Sequence, residues 1–286
     1  MTTSTVSSQY DFPNWDRLTD EVVCPLCDYN LRGLTEPRCP ECGYQFQWPD
    51  LLDPARRDHS YIFEHFRRSA FRSFWQTAFH GLRPIRFWRK LRPDQRSEPR
   101  RLFFYWTVSA LVGLVGIASY LGLLASQSYV QNFGTITWSV VSDFSFPVFA
   151  LLGVEAAVML AWPWLTFLSL MIFQISMRRA KVKPQHVRRC VLYSYDATLW
   201  CGGALVLLHA TLGGISIFRG AAIGNLYEVL YLDVMLWLAA LLLFIVRLHI
   251  AYWNYLRFRH VAATILCSQL IVALFVLAVA SIRIWF

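Results

Sequence analysis

The sequence predicts an all-α integral membrane bundle of about five transmembrane helices, with a small cysteine-rich head at the N-terminus. Three observations lead there. The 286-residue chain is 56% hydrophobic and 16% aromatic, with mean hydropathy +0.38, too apolar for an ordinary soluble domain. From residue 102 onward it consists of long apolar runs separated by short polar or basic stretches. Ahead of them stands CPLCDYNLRGLTEPRCPECG (24–43), with two Cys-x-x-Cys pairs separated by eleven residues.

The head comes first. A two-residue spacer lets both sulfurs of a pair face one ion from a single tight turn, and two such turns supply four thiolates to a tetrahedral site. Pro25 and Pro40 follow the first cysteine of each pair and Gly43 follows the last; proline fixes one backbone angle and glycine tolerates a positive φ. The spacer contains Gly33 and allows a short hairpin, so the unit reads as a zinc ribbon holding one structural zinc on Cys24, Cys27, Cys39 and Cys42. Four sulfurs leave no position for a catalytic water. A redox dithiol needs only one pair, and a disulfide framework fits poorly with the cytoplasmic placement argued below.

Charge divides the chain into three. Residues 1–53, the tail and ribbon, hold three Arg against nine Asp and Glu, a net of −6. Residues 54–101 hold thirteen basic residues against four acids, a net of +9, and residues 102–286 hold eleven against five, a net of +6. An acidic ribbon is poorly suited to a phosphate backbone, so nucleic acid is not an expected partner. With no apolar stretch before residue 100, no cleavable signal peptide is expected. In the basic segment, Ile62, Phe63, Phe66, Ala70, Phe71, Phe74, Trp75, Ala78, Phe79 and Leu82 recur at helical spacing, with Arg67, Arg68 and Arg72 on the other side. A second short element begins at Pro84. Arginine among large aromatics suits a membrane surface with anionic headgroups; a helix capping the bundle is the alternative.

Five spans follow, at about 102–127, 146–177, 191–218, 226–248 and 261–284, each long enough for a hydrocarbon core of ~30 Å. The second contains Glu155 and a Trp162-Pro163-Trp164 kink. Small residues recur along the first, at Ser109, Gly113, Ala118 and Gly122, and permit close helix packing. Arg and Lys crowd the segment before span one, the loop RRAKVKPQHVRR (178–189) and the loop holding Arg257 and Arg259. Residues 128–145 have neither, and 219–225 have only Arg219. The positive-inside rule then places the N-terminus and ribbon in the cytoplasm and the C-terminus outside, in a multi-pass cell-membrane protein.

The CPLCDYNLRGLTEPRCPECGYQF stretch resembles the head of bacterial membrane proteins that open with a C-P-x-C-x-Y-x-L-R-G-L…C-P-E-C-G ribbon. FWQTAFHGLRPIRFWRKL resembles the lead-in to the spans of the Yip family, whose eukaryotic members are five-span proteins that interact with Rab GTPases. The basic loop running into CVLYSYDATL (190–199) is similar to the entry to that family's third span, with Asp196 as a departure. The resemblance covers roughly residues 70–286. It implies a cytoplasmic N-terminus, an outside C-terminus and a non-enzymatic membrane role.

No G-x-S-x-G elbow, phosphate loop or H-E-x-x-H occurs, and no catalytic residue is assigned. Cys190, Cys201 and Cys267 read as packing residues, and His59, His65 and His80 as solvated or headgroup-level groups. The ionisable residues inside spans are Glu155, Asp196, His209, Glu228, Asp233 and Arg247. Counting residues from each side for depth pairs Asp196 with Arg247 and Glu155 with His209. The expected function is a membrane scaffold or adaptor, with the ribbon docking a cytoplasmic protein partner. A small-solute or ion transporter is the second reading and a membrane enzyme the third.

Overall fold

The computed structural model describes residues 13, 15, 21–65, 69–132, 145–176, 182–222, 226–257 and 260–285. Arg67, Arg68, Arg178, Arg179, Lys181 and Arg259 lie outside the described residues. Among those described the chain is helical, without strands. Three short helices, α1 (Trp48–Leu52), α2 (Ala70–Gly81) and α3 (Pro84–Lys90), lead into the long ones. These are α4 (Pro99–Gln131), α5 (Ser145–Ser176), α6 (Pro184–Ser194), α7 (Ala197–Arg219), α8 (Leu226–Ala251) and α9 (Val261–Trp285). Helices α6 and α7 run on through the turn at Tyr195–Asp196 and count as one span. Five helical segments are thus long and apolar enough to cross a membrane. Leu111, Val115, Leu207, Leu242, Leu266 and Leu274 are all more than half exposed along them. That much apolar surface suits lipid, not water. The chain is a multi-pass helical membrane protein.

Helices α4 and α7 form the closest contact. A Cβ built on Gly116 would lie 2.6 Å from the Gly202 Cα, and one on Gly202 would lie 2.7 Å from the Gly113 Cα. Only backbone fits there. Of the small residues expected at an interface, Gly113 is in it, whereas Gly122 faces open space.

Helix α5 runs through Pro163 without a break. Proline lacks an N–H, so the carbonyl four residues back, Met159, loses its helical donor. The Tyr195 hydroxyl donates to that carbonyl at 2.8 Å, which is how a proline is accommodated where water is absent. At the other end of α7, Gly220 at φ 60° lets the chain turn out of the helix, with the Gly220 and Ala221 N–H groups closing on the Ile217 and Ser216 carbonyls.

The lead-in differs from the expected amphipathic helix. Residues 62–65 form a turn, not helix, and the helix starts only at Ala70. Ile62 and Phe63 are buried, with the Phe63 N–H donating to Thr77 Oγ1 at 2.9 Å. Helices α2 and α3 do cap the bundle: Phe74, Ala78, Phe87 and Trp88 are buried, and Trp75 meets Trp200 with ring centroids 6.4 Å apart. Their outer face keeps Phe71, Phe79, Leu82 and Ile85 exposed beside Arg72, Arg86 and Lys90.

Candidate functional site

Each Cys-x-x-Cys pair sits in a tight turn. Backbone N–H groups of Asp28 and Gly43 close on the carbonyls of Cys24 and Cys39 at 3.0 and 2.9 Å. Both closing residues are left-handed, Asp28 at φ 63° and Gly43 at φ 72°. Gly43 meets the expectation, and Asp28 is one of the few non-glycine types that tolerate that region. A single antiparallel bridge completes each turn, Val23 with Asn30 and Arg38 with Gln45. The hairpin expected across the spacer is not formed. Each pair carries its own closing bridge, and Gly33, at φ 80°, serves the crossing between the two turns.

The four sulfurs lie within 4.8 Å of one another, with Cys24 to Cys42 at 3.6 Å and Cys27 to Cys39 at 3.5 Å. Metal–sulfur bonds of ~2.3 Å in a tetrahedron require sulfurs about 3.8 Å apart, whereas a disulfide needs about 2 Å. The cluster therefore fits a metal ion and not a pair of disulfides. Backbone N–H groups of Leu26 and Cys27 point at Cys24 Sγ, that of Tyr29 at Cys27 and that of Tyr44 at Cys42. The four thiols share protons: the hydrogen bond from Cys42 lowers Cys24, while that same bond and burial raise Cys42 and burial raises Cys27, with the backbone N–H groups lowering each of the three. Such donors stabilise thiolate, the form a metal requires. Cys190, Cys201 and Cys267 are not in the cluster.

The head is fastened to the spans. The Lys183 N–H donates to the Leu26 carbonyl at 2.8 Å, and the Lys183 ammonium pairs with Asp28. His186 places Nε2 2.8 Å from the Pro25 carbonyl and Nδ1 2.8 Å from the Tyr255 hydroxyl. A carbonyl can only accept, so Nε2 holds the proton and Nδ1 accepts from Tyr255. Tyr255 in turn accepts from Arg189 Nη1 at 3.1 Å, and Arg189 Nε reaches Glu64 Oε2 at 2.8 Å. Both side chains of this ion pair are wholly buried. Tyr193 donates to Glu64 at 3.1 Å, Ser97 Oγ and the Glu98 N–H donate to its other oxygen at 3.2 Å, and Arg189 also donates to the Arg96 carbonyl at 2.6 Å.

Arg189, counted in the sequence with the loop 178–189, is instead the centre of a buried network, because helix α6 begins at Pro184 and carries it inward. His65 is not at the surface: it is buried, its Nδ1 accepting from the His59 N–H at 2.7 Å and its Nε2 meeting the Arg96 carbonyl. Burial holds the His65 imidazole below its ordinary value and pushes His59 down to about 4. A histidine amid arginines reads as exposed until the fold turns it inward.

Within the spans, the expected Asp196–Arg247 pair is formed. Arg247 Nη2 lies 2.9 Å from Asp196 Oδ2, Nη1 faces Oδ1, and Tyr105 donates to Oδ2 at 3.4 Å. Arg247 also donates to the Gly81 carbonyl, where α2 ends, and a Cβ on Gly81 would overlap the Asp196 carboxylate. The expected Glu155–His209 pair is not formed. His209 Nε2 meets Asp233 Oδ1 at 3.1 Å, and its Nδ1 meets Ser119 Oγ at 2.7 Å. The depth count gave Asp233 no partner, and rotation about the axes turns it toward α7. Both Glu155 oxygens are buried without a hydrogen-bond partner among the described residues.

Comparison with protein-family models, with curated proteins and with solved structures returns no match.

Proposed function

We propose that this protein is a membrane scaffold or adaptor of Yip-like architecture, in which the four-cysteine head, carrying one structural zinc ion, docks a protein partner in the cytoplasm. One observation carries the reading. The head is held to the spans by backbone bonds at Pro25 and Leu26 and by the Lys183–Asp28 pair, while Val23, Tyr29, Arg32, Glu36 and Glu41 remain exposed. A surface fixed in orientation on a membrane anchor is suited to presenting a contact. Four thiolates with no open coordination position favour zinc in a structural role. The basic, aromatic outer face of α2 and α3 suits anionic headgroups at the same surface. Four of the buried ionisable groups in the spans are matched within this chain, at Asp196–Arg247 and His209–Asp233, with Glu155 the exception, which supports a packed bundle over a polar conduit.

The test places a photo-crosslinking residue at Tyr29 or Glu41 in native membranes, with Gln131 as the control. A product specific to the head positions, lost in Cys24→Ser, is expected. Identical products with and without the metal ligand would remove the docking role. The orientation has its own check: a cysteine at Gln131 should react with an impermeant reagent outside intact cells, and one at Gln185 should not.

A further inference from the structure

A cavity of about 210 Å³ opens between α5, α8 and the start of α7, lined by Glu155, Met159, Trp162, Tyr195, Trp237 and Phe244 among other apolar side chains. The tyrosine and one tryptophan have committed their polar atoms: Tyr195 donates to the Met159 carbonyl at 2.8 Å and Trp162 Nε1 to Gln269 at 2.9 Å. What they present to the cavity is ring and hydrocarbon. Glu155 differs. Both of its oxygens are shut off from solvent and neither has a hydrogen-bond partner among the described residues. No Arg, Lys or His lines the cavity, and the nearby Asp233 is already matched by His209 at 3.1 Å.

We propose that this intramembrane cavity binds a lipophilic organic cation, one positive centre on an apolar body, with Glu155 as the counter-charge and the aromatic walls as the cage. The inference goes beyond the scaffold reading and does not depend on it. Three physical terms point the same way. A carboxyl group without partners in a membrane interior is costly, and carboxylates at that depth are tolerated when matched by opposite charge. Aromatic faces carry negative quadrupole potential and attract cations, more strongly when both are out of water. The remaining walls are hydrocarbon, as at Val154, Val158, Val234 and Leu241, but for the single hydroxyl of Thr198, which selects against small hydrated ions such as sodium. A neutral apolar molecule would fill the space but leave Glu155 as it is; an anion would be repelled. The occupant would arrive from the lipid phase, since the site lies within two spanning helices.

The probe is phenyltrimethylammonium, small enough for the cavity, added to the intact protein in phosphatidylcholine nanodiscs, with empty nanodiscs subtracted. tert-Butylbenzene serves as the neutral isostere and benzenesulfonate as the anionic analogue. Saturable binding of the cation alone, near one per chain, is expected. Glu155→Gln should weaken it by about tenfold to a hundredfold, the range for a charge-assisted contact. Glu228→Gln, an exposed carboxyl outside the cavity, should leave it unchanged. Ala240→Phe, which fills the cavity while retaining Glu155, should abolish it; this variant carries the test if Glu155→Gln does not assemble. Equal binding of all three probes, undiminished binding in either cavity variant, or no saturable binding would each overturn the proposal.

Discussion

The two halves of the bundle are held together by different means. At the end that carries the head, segments distant in sequence are joined by polar bonds: Pro25 to His186, His186 to Tyr255, Arg189 to Glu64 and Arg96, Arg247 to Asp196 and Gly81. In the other half, α4 and α7 meet through Gly116 and Gly202 with no room for side chains, and the polar contacts run from helix to helix, His209 with Ser119 and Asp233, Tyr120 with the Leu226 carbonyl and Ser216 with Gln127. The difference follows from backbone chemistry. A helix satisfies its own N–H and C=O groups, so helix against helix needs only shape. The head and the loops at 58–65 and 91–98 are irregular, and the buried carbonyls there and at the end of α2 need outside donors. Arg189, Arg247 and His186 supply them from the spans. The charges at this end are there because the irregular backbone is there.

The comparison is broken most severely at the metal site. Cys24→Ser, or removal of metal by a chelator, should unfold the head, because a unit of this size has too little core to fold without its ion; metal binding by such sites is worth on the order of 10 kcal/mol. Metal analysis should read near one ion per chain in the intact protein and near none in the variant. Helicity should persist, since the spans satisfy their own backbone. Loss of helix along with the metal would mean that the head and the far half are one cooperative unit.

Next in size is the buried ion pair. Arg189→Met leaves Glu64 buried without its guanidinium and also strips donors from the Gln95 and Arg96 carbonyls. Breaking one partner of such a pair costs about 3–5 kcal/mol. Adding Glu64→Gln to Arg189→Met should recover part of that loss, because the stranded charge is then gone. A thermal-melt cycle in detergent measures this. Strictly additive losses would separate the two residues energetically.

The glycine contact between α4 and α7 should respond to volume instead of charge. A Cβ on Gly202 meets the Val112 carbonyl oxygen at 2.5 Å and the Gly113 Cα at 2.7 Å, all backbone and unable to turn aside. Gly202→Val should therefore push α7 off α4 and cost about 1–3 kcal/mol, the range for overpacking. Gly203→Val, one residue on and facing open space, should cost little. Equal losses at both positions would reduce the effect to propensity.

Much of this division can be read in the sequence. Metal-ligand spacing is local, so four cysteines in two short turns announce their own cluster. Span length is set by membrane thickness, so apolar runs announce the helices. Depth along a helix is also arithmetic, and it brought Asp196 to Arg247. It failed for His209 because depth says nothing about rotation: the azimuth of Asp233 on α8 turns it to His209, and Glu155 on α5 is left without a hydrogen-bond partner among the described residues. The Glu64–Arg189 network was illegible for another reason. Basic residues beside a span follow the positive-inside pattern whether they face water or not, and Glu64, the one acid in YIFEHFRR, was the available clue.

The smallest expected effect lies at the edge of the polar half, in His65. Its two ring nitrogens are both in use: Nδ1 accepts from the His59 N–H at 2.7 Å, so Nε2 carries the proton and donates to the Arg96 carbonyl. Protonating Nδ1 would set two N–H groups against each other in a buried turn. Burial accordingly holds the folded His65 below its ordinary value of 6.5. The unfolded chain then binds more protons than the folded one wherever the pH is near or below 6.5, and stability rises with pH there. The contribution is fully present above that value and declines as pH falls below it. His59, pushed down to about 4 by burial, adds to the same slope. Melting temperatures in detergent should fall between pH 7 and pH 5, and His65→Gln, which keeps a donor and an acceptor but cannot titrate, should flatten part of that fall. An identical slope in the variant would mean that His65 binds protons equally in the folded and unfolded chain, and that its burial costs the protonated form nothing.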